Sequence, residues 1–155
     1  MLYYLSLGSN LGERERTLRE ALDLIGRQIG TLLRCSSLYY SAPWGFESEH
    51  PFCNLCCAVR TDLAPLDMLR ATQAIERQLG RTEKSSDGEY HDRTIDIDLI
   101  RAFDDEGKEI ILNYQLSILK SQMSNAPLLS LPHPLWQERD FVVEPMKEIF
   151  NDSNI

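Results

Sequence analysis

Hydrophobic and polar positions divide the chain into alternating runs, which suit strands, and two stretches with helical spacing. "LYYLSLG" (2–8) is rich in β-forming residues and ends at Gly8, which predicts a strand. Over 9–29, Leu18, Leu22, Ile25 and Ile29 recur at i, i+4, i+7 and i+11, one apolar stripe of a helix. Ser9 or Asn10 is its expected cap or turn residue. A second strand is predicted over 31–41, a loop with Pro and Gly over 42–51, and a third strand over 52–61. Alternation in that third strand sends Leu55, Cys57 and Val59 to one face and Phe52, Asn54 and Cys56 to the other. A second helix fits 64–80, with Pro65 near its start and Gly80 as its stop. Residues 81–92 are polar and aperiodic, and a strand follows over 92–100.

The predicted order is β-α-β-β-α-β, the split βαβ arrangement of an α+β antiparallel sheet with helices on one face. The helix-free face is then open to carry a site, and Phe52, Asn54, Asp96 and Asp98 point to it. After residue 101 the pattern weakens. "DDEGK" reads as a turn, "EIIL" as a short strand, 113–127 as a poorly striped helix, "LLSLPHP" as a strand halted by proline, and 134–150 as short helices. "NDSNI" (151–155) is expected to fray.

A length of 155 residues fits one domain, 1–155, with 43% hydrophobic and 26% charged residues. No apolar run approaches the roughly 18–20 residues of a membrane span. The start lacks the pattern of a signal peptide, so a cytoplasmic address is expected. The net charge of −8 argues against broad binding to nucleic acid or an anionic membrane. "FCNLCCAV" contains a C-x-x-C spacing, but no second Cys/His pair completes a zinc set; buried reduced thiols are the expectation for the four cysteines.

The chemistry concentrates in "DRTIDIDLI" (92–100). Ile95, Ile97 and Leu99 form one face; Asp96 and Asp98 share the other, with Cα atoms about 6.5–7 Å apart. Two anions so close repel unless a cation sits between them. Mg²⁺ takes one or two carboxylates and completes its shell with water and substrate phosphates. The alternative is an acidic, solvated strand face. Arg81, Arg93 and Arg139 could grip phosphate oxygens bidentately, or could be ordinary surface charges. His133, between prolines in "LPHP", could donate to a phosphate oxygen, whereas His50 and His91 read as loop histidines.

"YLSLGSNLG", "FCNLCCAV", "IERQLGR", "DRTIDIDLI" and "LPHPLWQERDFVVEP" together resemble, in order, the 6-hydroxymethyl-7,8-dihydropterin pyrophosphokinase family. The resemblance spans roughly residues 2–149. R-T-x-D-x-D followed by P-H-P-x-x-x-x-R-x-F is its most specific part. It implies a ferredoxin-like fold and transfer of the terminal diphosphate of ATP to the pterin hydroxymethyl group, with release of AMP, in folate biosynthesis.

By position, the resemblance makes Asp96 and Asp98 ligands of two Mg²⁺ ions, and Arg81 and Arg93 catalytic arginines that hold phosphate. Gln73, Glu76, Lys84, Leu99, Ser130, His133 and Arg139 fall on the nucleotide side. Asn54 reads the pterin edge, Phe52 and Phe141 sandwich the ring, and Pro43, Trp44, Gly45 and Tyr90 add substrate contacts. Relatives often carry a basic loop ending W-G-P-R; here it reads "TEKSSDGEYHDR", with Tyr90 in place of Trp. ATP and the pterin are the expected partners of a monomer, with neither nucleic acid nor membrane. Two other classes share the pattern. An RNA-binding module would want a basic surface and aromatic RNP motifs. A metal-sensing domain would use the acid pair without turnover.

Overall fold

The structure, a computed structural model, describes residues 1–42, 51–80, 94–114 and 129–150. Its elements are β1 (Leu2–Ser9), α1 (Arg14–Gln28), β2 (Thr31–Cys35), β3 (Tyr39–Ser41), β4 (Phe52–Arg60), α2 (Pro65–Gln78), β5 (Asp96–Phe103), β6 (Leu112–Tyr114), β7 (Leu129–Leu131) and α3 (Asp140–Phe150). The main sheet runs β2-β4-β1-β5, with β3 also on β4, and every neighbouring pair is antiparallel. β6 and β7 form a separate ribbon. No helix among the described residues is long and apolar enough to cross a membrane.

One face of the sheet packs on α1 and α2. Tyr3, Leu5 and Leu7 of β1, Leu55, Cys57 and Val59 of β4, and Ile97 and Leu99 of β5 meet Leu18, Ala21 and Ile25 of α1 and Met68 and Ile75 of α2. The opposite face is not free of helices, contrary to the sequence-based expectation. Val142, Met146 and Ile149 of α3 cover Tyr4, Cys56, Ala58 and Ile100. The cause lies in the composition of this face. It carries Tyr4, Ala58 and Ile100 at one end, which need covering, and Ser6, Gly8, Asn54 and the two aspartates at the other.

The expected 31–41 strand is two strands. At the break, the Ser36 hydroxyl accepts the Cys56 N–H at 2.9 Å, while the Ser37 N–H and hydroxyl both donate to the Glu148 carboxylate of α3. A side chain from the far end of the chain thus takes the donors that a continuous strand would leave open. α1 starts at Arg14 rather than near residue 9. Glu13 precedes it without a side-chain cap, and the Ser9 hydroxyl is buried without a hydrogen bond to a described residue.

β5 runs on to Phe103, and its register on β1 shifts between Tyr4 and Leu5. Ile100 is the extra residue. It packs on the α3 side with Phe103, while Ala102 lies on the α1/α2 side, so the bulge reverses which residues face α3. Of the expected helix over 113–127, residues 113 and 114 are strand and the remainder lies outside the described residues. Of "EIIL", only Leu112 belongs to a strand, with Glu109 forming a lone bridge to Phe103. The 134–150 segment folds as a 3-10 turn, Trp136–Glu138, followed by α3.

Candidate active site

Sheet register aligns the polar end into rows. Asn54 of β4, Gly8 of β1 and Asp96 of β5 are Cα partners across three strands; Cys56, Ser6 and Asp98 form the next row. The pleat places these residues on the α3 side, together with Phe52 at the start of β4. α3 covers Cys56, and the chain just before α3 brings Arg139 to the acids. Its Nη1 lies 4.0 Å from Asp98 Oδ2, with the arginine side chain only 12% exposed. Phe141, in the first turn of α3, lies under the same guanidinium, 5.8 Å from ring centre to Cζ.

β5 is an edge strand, and the Ile97 amide between the two aspartates needs a partner. Glu76 of α2 supplies it: its Oε2 accepts the Ile97 N–H at 2.7 Å, and the residue is 6% exposed. The sequence pattern alone suggests a surface glutamate there; packing of α2 on β5 buries it instead. Glu76→Ala is expected to destabilise the fold by about 1–3 kcal/mol, because a buried donor loses its partner. Urea unfolding would measure this, and a change below about 0.5 kcal/mol would remove Glu76 from the support of β5.

His133 follows the Leu131–Pro132 bond, which is cis. Its backbone N–H donates to the carbonyl of the bulged Ile100 at 2.8 Å, and its Nδ1 accepts the Leu135 N–H at 3.1 Å. Burial first, and the charge of Arg139 second, depress its pKa from 6.5 to about 4, against an opposing pull from Asp96. The ring is neutral near pH 7. With Nδ1 accepting, the proton sits on Nε2, which can donate to an anionic oxygen.

The same shift fixes a pH dependence. Between pH 6.5 and about 4 the unfolded chain binds a proton that the folded histidine refuses. Stability therefore falls as pH drops through this window and is retained above it. Thermal melts from pH 7 to 4.5 should show a shallower acid decline for His133→Gln than for the parent; equal slopes would contradict the assignment.

Asn54 is 2% exposed and its amide is held rigidly. Nδ2 donates to the Tyr39 carbonyl at 3.0 Å and to Ser41 Oγ at 2.9 Å. Both amide hydrogens are thereby used within the protein, which leaves Oδ1 to meet a ligand. Ser41 and Tyr39 carry no motif that would mark them in the sequence; only the β3–β4 register, with Tyr39 opposite Asn54 and Ser41 opposite Phe52, brings them here. The N-terminus of α1 braces the same corner. Arg14 Nη1 donates to the Pro51 carbonyl at 2.8 Å, and the Tyr40 hydroxyl donates to Glu15 at 2.7 Å.

The remaining expected residues divide. Gln73 is half-buried on α2, one turn before Glu76. The Ser130 hydroxyl donates to Asn113 across the β6–β7 ribbon at 3.2 Å. The Leu99 side chain is buried on the α1/α2 face, so only its main chain could reach a ligand on the acidic face. Arg81, Arg93, Lys84, Pro43, Trp44, Gly45, Tyr90, His50 and His91 lie outside the described residues. Cys53, Cys56 and Cys57 are buried; burial pushes the Cys56 thiol up to about 12 and holds the Cys57 thiol well above the usual thiol range, so neither is a thiolate at neutral pH. Among the described residues no group of three or more His, Cys, Asp or Glu side chains could hold a metal by itself. Two carboxylates with no nearby thiolate suit a hard cation that shares its shell with substrate oxygens.

The family model described as 7,8-dihydro-6-hydroxymethylpterin-pyrophosphokinase matches residues 4–151. A Porphyromonas gingivalis protein named 2-amino-4-hydroxy-6-hydroxymethyldihydropteridine pyrophosphokinase is 47% identical over 148 residues, covering 96% of this chain and 90% of the relative. A Bacillus subtilis protein of the same name is 35% identical over 147 residues, covering 94% and 76%. Among solved structures, an HPPK-DHPS in complex with substrates superposes with a TM-score of 0.64 at 18% identity, covering 96% of this chain and 40% of that one. Plasmodium falciparum HPPK-DHPS wild type with SDX-DHP gives 0.67 at 18% identity, covering 94% and 40%. The chain thus spans about 40% of these solved chains, and at such identity the likeness is one of fold.

Proposed function

Since the chain belongs to the 7,8-dihydro-6-hydroxymethylpterin-pyrophosphokinase family, we propose that the polar end of its sheet is where diphosphate passes from ATP to the pterin. The chain is an ATP-dependent diphosphotransferase of folate biosynthesis. It acts on the hydroxymethyl group of 6-hydroxymethyl-7,8-dihydropterin and releases AMP. The observation that carries the assignment to this surface is the Asn54–Gly8–Asp96 row, which sets an amide that can read a ring edge two strands away from an acid that can hold a metal.

Asp96 and Asp98 would hold two Mg²⁺ ions. When bound, these supply positive charge to the bridging and leaving phosphate oxygens. Arg139 sits within reach of Asp98 and contributes to phosphate binding. The neutral His133 donates from Nε2 without bringing a charge that depends on physiological pH. Glu76 holds the strand between the acids in place, and Gln73, Ser130 and the Leu99 main chain complete the nucleotide side. Arg81, Arg93 and Lys84 add phosphate contacts.

Phe52 and Phe141 flank the pterin, Asn54 Oδ1 accepts from its edge, and Pro43, Trp44, Gly45 and Tyr90 close around it. The element order and the β2-β4-β1-β5 sheet support the ferredoxin-like class, with residues 1–155 as one domain. A monomer in the cytoplasm, without nucleic-acid or membrane partners, completes the reading. Incubation with ATP, Mg²⁺ and the pterin, followed by identification of the nucleotide product, tests it. AMP formed only with pterin present supports it; ADP, or no pterin-dependent product, overturns it.

A further inference from the structure

Gly8 is the next-to-last residue of β1 and is paired on both sides, a setting in which glycine is usually a weakness. A glycine there marks a bulge, a special backbone conformation or a close approach. The first two do not apply. Gly8 keeps regular partners on both sides, Asn54 and Asp96, and the register shift in β1 lies elsewhere, at Tyr4 and Leu5. Its φ is also not positive, unlike that of Gly12, Gly80 and Gly107. The backbone would therefore accept alanine. The space would not. A Cβ on Gly8 would lie 2.9 Å from Asn54 Oδ1, and 3.4 and 3.8 Å from two carbons of the Phe52 ring.

A contact of 2.9 Å is relieved cheaply when the other atom ends a free side chain. Asn54 is not free. Its Nδ2 is fixed by the Tyr39 carbonyl and Ser41 Oγ, so Oδ1 can withdraw only if those two bonds bend or break. The amide is buried as well. The one atom of Asn54 left for a ligand is thus the atom that a methyl at position 8 would push.

We propose that Gly8 is a positioning residue for the pterin. Its missing side chain lets Asn54 Oδ1 and the Phe52 ring keep the places from which they meet a flat, polar-edged ring. The inference rests on reading this corner as the pterin side of the site. It assigns no role to Gly8 in holding the nucleotide, which is placed with the acids, Arg139 and His133.

The test is calorimetric titration of 6-hydroxymethyl-7,8-dihydropterin, and separately of a non-hydrolysable ATP analogue with Mg²⁺, into the parent, Gly8→Ala, Asn54→Ala and the double variant. Gly8→Ala should lose about ten-fold or more in pterin affinity, equivalent to roughly one good polar interaction. Nucleotide affinity should change less than about two-fold, and the protein should stay folded, because the stability gained from the less flexible alanine offsets part of the strain placed on the two Asn54 hydrogen bonds. In the Asn54→Ala background the added methyl meets no Oδ1, so its effect should shrink below about two-fold.

Parental pterin affinity in Gly8→Ala overturns the proposal. So does an equal loss of nucleotide affinity, or a pterin loss that persists in the double variant. A Gly8→Ala protein that no longer folds also overturns it, because the glycine then serves the strand itself. A parent protein that binds nucleotide but no pterin sinks the pocket assignment as a whole, an outcome distinct from any of these.

Discussion

Asp96→Ala and Asp98→Ala are each expected to lower turnover by at least about a hundred-fold while leaving the fold intact. Removing one preorganised group that stabilises transition-state charge costs roughly 10²–10³ in rate. A metal ligand should lie at or above that range, because its loss also loosens the charge it holds. The fold survives for a different reason. Both aspartates are partly exposed on an open sheet face, and neither belongs to a hydrophobic cluster.

Without metal, two like charges on one strand face oppose folding slightly. Removing one carboxylate relieves that repulsion, so Asp96→Ala should melt close to the parent temperature in the absence of Mg²⁺. For Asp98→Ala the relief is offset, because Arg139 loses the carboxylate 4.0 Å from its guanidinium. Turnover at saturating Mg²⁺, circular dichroism and melting curves check all three points. Near-parental turnover in both variants would show that this pair does not hold the metal.

Asn54→Leu should weaken pterin binding about ten- to hundred-fold. The variant leaves the ligand's polar edge unpaired at a cost of roughly 1–3 kcal/mol, and every 1.4 kcal/mol is about ten-fold. From the sequence, an asparagine can offer both a donor and an acceptor. In the fold its donors are already engaged by Tyr39 and Ser41, so the ligand hydrogen bond removed by leucine is one that Oδ1 accepts. Some stability should be lost too, since the Tyr39 carbonyl loses its donor.

Phe52→Ala and Phe141→Ala should weaken the same ligand through reduced stacking, worth about 0.5–1.5 kcal/mol beyond area burial. Binding of the ATP analogue with Mg²⁺ should change by less than about two-fold in all three variants. If nucleotide affinity falls as far as pterin affinity in folded variants, this corner is not a separate pocket.

What the sequence by itself determined follows from short-range periodicity. Alternation in 52–61 and 92–100 assigns Asn54, Asp96 and Asp98 to one side of their strands, because the pleat has a period of two whatever surrounds it. The apolar stripe at Leu18, Leu22 and Ile25 assigns a helix for the same local reason. The motif around Asp96 and the later P-H-P stretch point to the family through residue identity alone.

Tertiary structure decided what depends on distant partners. The break at Ser36 and Ser37 exists because Glu148, 111 residues away, takes the Ser37 donors. α3 lies on the supposedly open face because Tyr4, Ala58 and Ile100 need covering at one end only. Glu76 is buried because an edge strand leaves the Ile97 amide in need of an acceptor. His133 is neutral because the bulge at Ile100 draws it under cover beside Arg139. None of these has a local signal. Each is a polar or apolar group whose partner is supplied by packing between segments far apart in the chain, and spacing within one segment carries no record of that.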